Sequence, residues 1–237
     1  MSSAVRLANN AGVDALLPDT FCTRRQIKSV DYDFVVRKAS DVPPKTRRDV
    51  WAIFEGNMRA AYTSSSFGWH PPSKRKELFD PLSRFILVYA PASKARSGTS
   101  LVGFVMFRFD EEETMEEDDS MEDVVYCYEI QISRKVQRSG LGVTLLEDLQ
   151  KIAKKWRMKK VMLTVFKTNK PAIELYTKLG YTIDPISPSE VLRTRSLAPP
   201  VSSGDQTVEA TESEDDWEDD DDDVEEVDYE IYSQVVQ

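Results

Sequence analysis

The chain has 237 residues, 41% of them hydrophobic, enough for one substantial core with tails to spare. Its formal charge of -10 is unevenly spread: ten acids fall in 110–123 and fifteen in 205–228, neither segment holds Lys or Arg, and the remainder has 16 acids against 31 bases, so a basic body carries two acidic segments. One histidine, His70, excludes a multi-histidine metal site, and two distant cysteines, Cys22 and Cys127, exclude a disulfide framework. The start M-S-S-A-V-R-L-A has no apolar signal region, and no run approaches the roughly 20 apolar residues of a membrane span. A soluble, reducing, intracellular setting is expected.

In chain order, 30–36 (V-D-Y-D-F-V-V) alternates as a strand does and is followed by Pro43 and Pro44. From Lys45, the residues Val50, Ile53, Phe54, Met58 and Ala61 fall at helical spacing, and this helix leads to Tyr62 and an S-F-G-W turn at 66–69. Ser73 is placed to cap a further helical turn that Asp80-Pro81 closes. Segments 85–90 and 101–109 are strands joined by a polar loop, and the first acidic segment separates them from a strand at 124–133. A helix from Leu141 puts Leu145, Leu149, Ile152, Ala153 and Trp156 on one face, with Glu147, Asp148, Lys151, Lys154 and Lys155 largely outside it. Segment 161–166 (V-M-L-T-V-F) reads as a buried strand, Asn169-Lys170-Pro171 opens a last helix that Gly180 ends, and 181–183 is another strand. The apolar pattern fades after Pro188 and returns at 227–236. The expected organisation is an N-terminal arm, flexible or helical, over 1–28 and a folded domain over 29–190. An acidic disordered linker follows over 191–226, and a strand over 227–237 returns to the domain.

The most informative stretch is 126–143, Y-C-Y-E-I-Q-I-S-R-K-V-Q-R-S-G-L-G-V. A strand ends at Ser133, a basic turn follows, and Gly140 and Gly142 introduce an amphipathic helix. The unpaired amides and dipole of such a helix start attract an anion, and Arg138 adds full charge. The pair lacks the third glycine of a dinucleotide fingerprint, with Leu145 in its place, and no G-K-S or G-K-T marks a nucleotide P-loop. Cys127, between two tyrosines in an apolar strand, reads as core.

The Q-R-S-G-L-G turn, the V-M-L-T-V-F strand, Asn169 and the Y-T-K-L-G-Y helix end together resemble the acetyl-coenzyme A site of the GNAT acetyltransferases. A narrower resemblance, carried by Y-C-Y-E, K-K-V-M-L-T-V-F-K-x-N, F-R-F-D, the 62–69 turn and Tyr229-Glu230-Ile231, is to the NatD-type N-alpha-acetyltransferases. The resemblance implies a mixed α/β GNAT fold, a central mixed twisted sheet with helices on both faces. It implies acetyl-CoA as co-substrate without a metal. As acceptor it implies the N-terminal serine of histone H4 and of the second core histone whose tail begins Ser-Gly-Arg-Gly. By the same resemblance the backbone of Ile130, Gln131 and Ile132 would hold the pantetheine arm, while Arg138, Ser139, Gly140, Leu141, Gly142 and Val143 would hold the pyrophosphate. Thr164 would lie near the acetyl carbonyl and Asn169 near the coenzyme. Tyr62, Phe67, Trp69, Asp110, Glu111, Glu112, Tyr128 and Tyr229 would line the peptide site, and Tyr126, Tyr128 and Glu129 would attend the reacting amine. Phe67 stands where the family suggests tryptophan.

Carboxylates suit an acceptor with arginine at its third position, since they accept paired guanidinium hydrogen bonds. The expected partners are the histone tails, with the ribosome as a further candidate and with no direct DNA readout or membrane. A monomer in cytoplasm and nucleus is expected. A GNAT enzyme acting on lysine or other N-termini, and a non-catalytic histone-binding module, remain the alternatives.

Overall fold

The structure, a computed structural model, describes residues 1–91, 98–115, 120–197 and 227–237. Helix α1 (Ser3–Asn10) starts on Ser2, whose hydroxyl accepts the Val5 amide at 3.1 Å, and α2 (Val13–Leu16) follows. Strands β1 (Arg24–Ile27) and β2 (Val30–Lys38) form a hairpin. Prolines open helices α3 (Pro44–Thr63) and α4 (Pro71–Leu78), where the missing N–H would have no helical partner in any case. Three longer strands come next: β3 (Arg84–Pro91), β4 (Thr99–Glu113) and β5 (Met121–Ile132). They are followed by α5 (Leu141–Lys155), β6 (Lys160–Phe166), α6 (Lys170–Lys178), β7 (Thr182–Ile183), α7 (Pro188–Leu197) and β8 (Tyr229–Val235).

These strands form one sheet in the order β1-β2-β3-β4-β5-β6-β8-β7, antiparallel at every step except β5 beside β6. Strand alternation sorts side chains between two cores. Ile86 and Val88 of β3 join Val5 of α1, Leu16 of α2, Leu145 and Leu149 of α5 and Tyr176 of α6. Phe85 and Leu87 instead join Val50, Trp51 and Phe54 of α3 and Leu78 of α4. Helices therefore cover both faces, as the mixed α/β reading requires.

Several local expectations change. Residues 1–28 are part of the folded body: Val5, Ala8 and Leu16 are fully buried, and β1 extends the sheet. Asp148, expected largely outside the apolar face of its helix, is 1% exposed, and Arg25 of β1 reaches it with Nη1 2.7 Å from Oδ2. Burial raises the Asp148 carboxyl against the lowering pull of the Arg25 guanidinium. The acidic stretch does not stop β4, which continues through Glu113 although strands are poor in acids. Glu111 lies opposite Asp123 and Glu112 opposite Glu122, pairings that repel. Lys160 offsets this at 3.2 Å from Glu122, and the Met1 ammonium does so at 3.0 Å from Glu111. Ser73 does not cap α4, whose N-cap is His70 without a side-chain bond. The expected disordered linker begins in a helix, since α7 runs to Leu197; its remainder, 198–226, lies outside the described residues. The final strand lies inside the sheet, between β6 and β7.

Candidate active site

The site begins where two strands part. Parallel pairing of β5 with β6 covers only Val124–Cys127 against Lys160–Leu163, after which β5 continues along β4 and β6 along β8. A bulge bends β5 at this point: Met106 faces Glu129 and Phe107 faces Cys127, leaving Tyr128 as the extra residue. The bulge also turns Tyr128 and the adjacent Glu129 toward the same side, that of α3 and α4, where Tyr128 packs on the second core and Glu129 meets Lys74. A cavity of about 990 Å³ occupies the wedge.

One end of the cavity is mainly backbone. Ile130, Gln131 and Ile132 line it along a strand edge with no partner from β6. The Gln131 side chain is committed elsewhere, its Oε1 accepting from Asn57 at 3.0 Å and its Nε2 donating to Glu129 at 2.8 Å. After a 3-10 turn at Arg134–Val136, Gln137 donates to the Ile132 carbonyl at 3.1 Å. The backbone then passes through Arg138 at φ 62 and Gly140 at φ 104, the second of which only glycine adopts without strain. α5 starts on Gly140 with no side-chain cap from that residue and no acid in its first turn; the Leu141 amide donates to Ser139 Oγ at 3.4 Å, and the amides that follow it face an anion site. Gly142 has a packing role as well, since a Cβ there would meet Leu175 of α6 at 3.3 Å. Arg138, Ser139, Leu141, Val143, Thr164 and Asn169 all line the same cavity. Lys28, which the sequence reading missed, joins them from the β1–β2 turn, donating to the Arg138 carbonyl at 2.8 Å.

The other end is built from side chains. Tyr62 meets Phe166 edge-on at 5.2 Å, Phe67 lies 5.7 Å from Phe166, and Tyr229 of β8 lies 5.1 Å from Phe67. Asp228 holds this wall in place, accepting from the Ser66 amide at 2.8 Å and its hydroxyl at 3.0 Å. Tyr62, Phe67, Glu112 and Tyr128 line the cavity. Asp110 does not line the cavity itself but receives the hydroxyl of Tyr128, which does, at 3.4 Å, and burial, helped by Asp110, raises the Glu112 carboxyl. Tyr229, like Asp110, touches a lining residue without lining the cavity, and two further expected members lie elsewhere. Trp69 packs on Trp51 and Phe54 at 5.7 and 5.9 Å, and Glu111 points to the opposite side of β4, where it holds the chain's own Ser2 amide at 2.7 Å.

Between the two ends stand Tyr126, Tyr128 and Glu129. Glu129 is 5% exposed and both its oxygens are engaged, Oε1 with Lys74 at 2.7 Å and Oε2 with Gln131. Lys74, also missed, touches Glu77 at 2.5 Å and lies 5.3 Å from the Tyr62 ring; burial works against its ammonium, yet Glu129, Tyr62 and Glu77 together raise it. Glu129 is thus held in place through both oxygens. Tyr126 shares a 2.6 Å hydrogen bond with Thr164. Burial raises Tyr126, and it pushes Tyr128, aided by Asp110, and Tyr62, aided by Glu129, up to about 12. These phenols therefore stay neutral near pH 7 and can donate hydrogen bonds. Burial likewise raises Cys127, keeping it a thiol and a poor nucleophile. His70 lies outside the cavity, beside Gly68.

Phe166 is the other wall residue that sequence reasoning treated only as core. Its position as the last residue of an apolar strand, just before polar Lys167, was the available signal.

Residues 50–181, more than half of the chain, match the family model for the acetyltransferase (GNAT) family. An acetyltransferase from Streptococcus agalactiae 2603 superposes with a TM-score of 0.50 at 10% identity, covering 85% of this chain and 98% of its own. A GNAT-family acetyltransferase from Staphylococcus aureus MU50 gives 0.50 at 9% identity, covering 86% and 99%. Arabidopsis thaliana NAA60 in complex with a bisubstrate analogue gives 0.45 at 16% identity, covering 63% and 85%. Identities this low speak to the fold alone. The family match, the sheet that parts between β5 and β6 and the open helix start after Gly140 agree: the chain belongs to the GNAT acetyltransferase family.

Proposed function

We propose that this acetyltransferase is an N-alpha-acetyltransferase of the NatD type, acting in cytoplasm and nucleus. It moves acetyl from acetyl-CoA to the N-terminal serine of histone H4 and of the second core histone that begins Ser-Gly-Arg-Gly. The GNAT family uses acetyl-CoA, and the uncapped α5 terminus with Arg138 fits its phosphates. The observation that carries the acceptor reading is the pairing of an aromatic wall, Tyr62, Phe67 and Phe166 backed by Tyr229, with Glu112 in the cavity and Asp110 on the Tyr128 hydroxyl. Rigid rings suit a thin chain terminus, and the carboxylates suit an arginine two residues behind it.

The chemical step is attack of the neutral amine on the thioester carbonyl, with loss of the thiolate, which takes up a proton. An α-amino group ordinarily titrates at about pH 8, so its proton leaves easily near neutral pH. The Tyr126 and Tyr128 hydroxyls order the water that takes it, while Glu129, anchored by Lys74 and Gln131, supplies negative potential beside the ammonium. With Cys127 held as a thiol, direct transfer needs no acyl-enzyme.

The test is acetyl transfer to a peptide panel: Ser-Gly-Arg-Gly, the same peptide with its terminus blocked and a lysine downstream, and peptides with other first residues. Turnover of the first alone is expected. Turnover of the blocked peptide would make the protein a lysine acetyltransferase.

A further inference from the structure

We propose that Lys28 is a coenzyme-binding residue, contributed by the β1–β2 hairpin to the phosphates of acetyl-CoA. This rests on the donor reading given above. The hairpin is built to hold that lysine. Its two turn residues, Lys28 and Ser29, sit at φ 47 and 66, a left-handed pair that ordinarily calls for Asn-Gly. An unfavourable turn persists only where its surroundings fix it, and here they do so three times. Arg25 is tied to the buried Asp148 of α5 and stacks 4.3 Å over the Phe34 ring. Ile27 lies against Gly140, 3.4 Å from where a Cβ would stand. The Lys28 ammonium donates to the Arg138 carbonyl.

That carbonyl uses one of the three ammonium hydrogens. The other two are left for a ligand, and the exposed Lys28 lines the same cavity as Arg138, Gly140 and Gly142. A cation so placed recognises a phosphate oxyanion. Coenzyme A offers two sources, the pyrophosphate and the 3′-phosphate.

Calorimetric titration of the full chain with coenzyme A and with 3′-dephospho-coenzyme A tests this, using wild type, Lys28→Met and Lys28→Arg. Methionine is no worse suited than lysine to the turn, so the hairpin is retained. Lys28→Met should weaken coenzyme A binding about tenfold, the scale of one charge-assisted hydrogen bond. Lys28→Arg should restore most of it, and the wild-type advantage should shrink at high salt. A deficit that disappears with the dephospho compound assigns Lys28 to the 3′-phosphate, and one that persists assigns it to the pyrophosphate. Wild type and Lys28→Met binding equally well would overturn the inference alone. A deficit that ignores salt and is not rescued by arginine would also overturn it, since Lys28 would then only prop the loop. Failure of wild type to bind coenzyme A would instead sink the donor reading itself.

Discussion

The two ends of the cavity are made in different ways. At the donor end, one continuous segment from Ile130 to Val143 supplies a strand edge, a turn and a helix start, and most of its work is done by main-chain groups. At the acceptor end, side chains arrive from α3, the α3–α4 loop, β4, β6 and β8, each from a different part of the chain. A backbone site tolerates changes of side chain but not of conformation. A side-chain site has the opposite sensitivity, and that contrast can be tested.

The largest effect should come from Lys74→Met, which leaves Glu129 buried without its cation. Breaking such a pair costs about 3–5 kcal/mol, and thermal unfolding should show a lower Tm with acetyl transfer lost. Adding Glu129→Gln should recover part of the Tm but not the activity. An unchanged Tm for Lys74→Met would mean that the acceptor end does not depend on this pair.

A smaller loss should follow Gly140→Val, because a β-branched residue resists φ 104. Strain on the order of 1–3 kcal/mol should lower kcat/KM for acetyl-CoA by about fivefold to 150-fold. The KM for peptide should hardly move. A matching rise in peptide KM would show that the two ends are not separate.

The smallest effect concerns pH. Burial raises the Glu112 carboxyl, so as pH falls it takes up a proton earlier than an ordinary glutamate, and the site loses a charge for arginine. The ratio of kcat/KM for Ser-Gly-Arg-Gly to that for its citrulline analogue should therefore decline on acidification, starting above the usual carboxylate range. Glu112→Gln should flatten that decline. A decline of the same size in the variant would remove Glu112 from arginine recognition.

The same contrast explains what could be read in the sequence. The anion loop was legible because Gly140, Gly142 and Arg138 are neighbours and local chemistry dictates their geometry. Residues Lys74, Phe166 and Lys28 were not, because their meaning lies in contacts with residues 129, 62 and 138, which no local pattern encodes. Glu111 is a different kind of miss. Once β4 is carried through the acids, alternation alone puts Asp110 and Glu112 on one face and Glu111 on the other. Strand propensity argued for stopping at Phe109, and the Lys160 and Met1 contacts that override it are distant.

The interior place of β8 has a consequence for how the protein folds. Phe166 pairs with Tyr229, so the β6–β8 ladder closes a long chain loop, and among the described residues β7 is paired only to that same strand. Closing such a loop loses chain entropy before its contacts form, and ladders of this kind assemble slowly. The donor loop draws on residues already joined through neighbouring elements. Donor competence can therefore arise earlier in folding, while the peptide slot waits for the strand that brings Tyr229 and Asp228 into register.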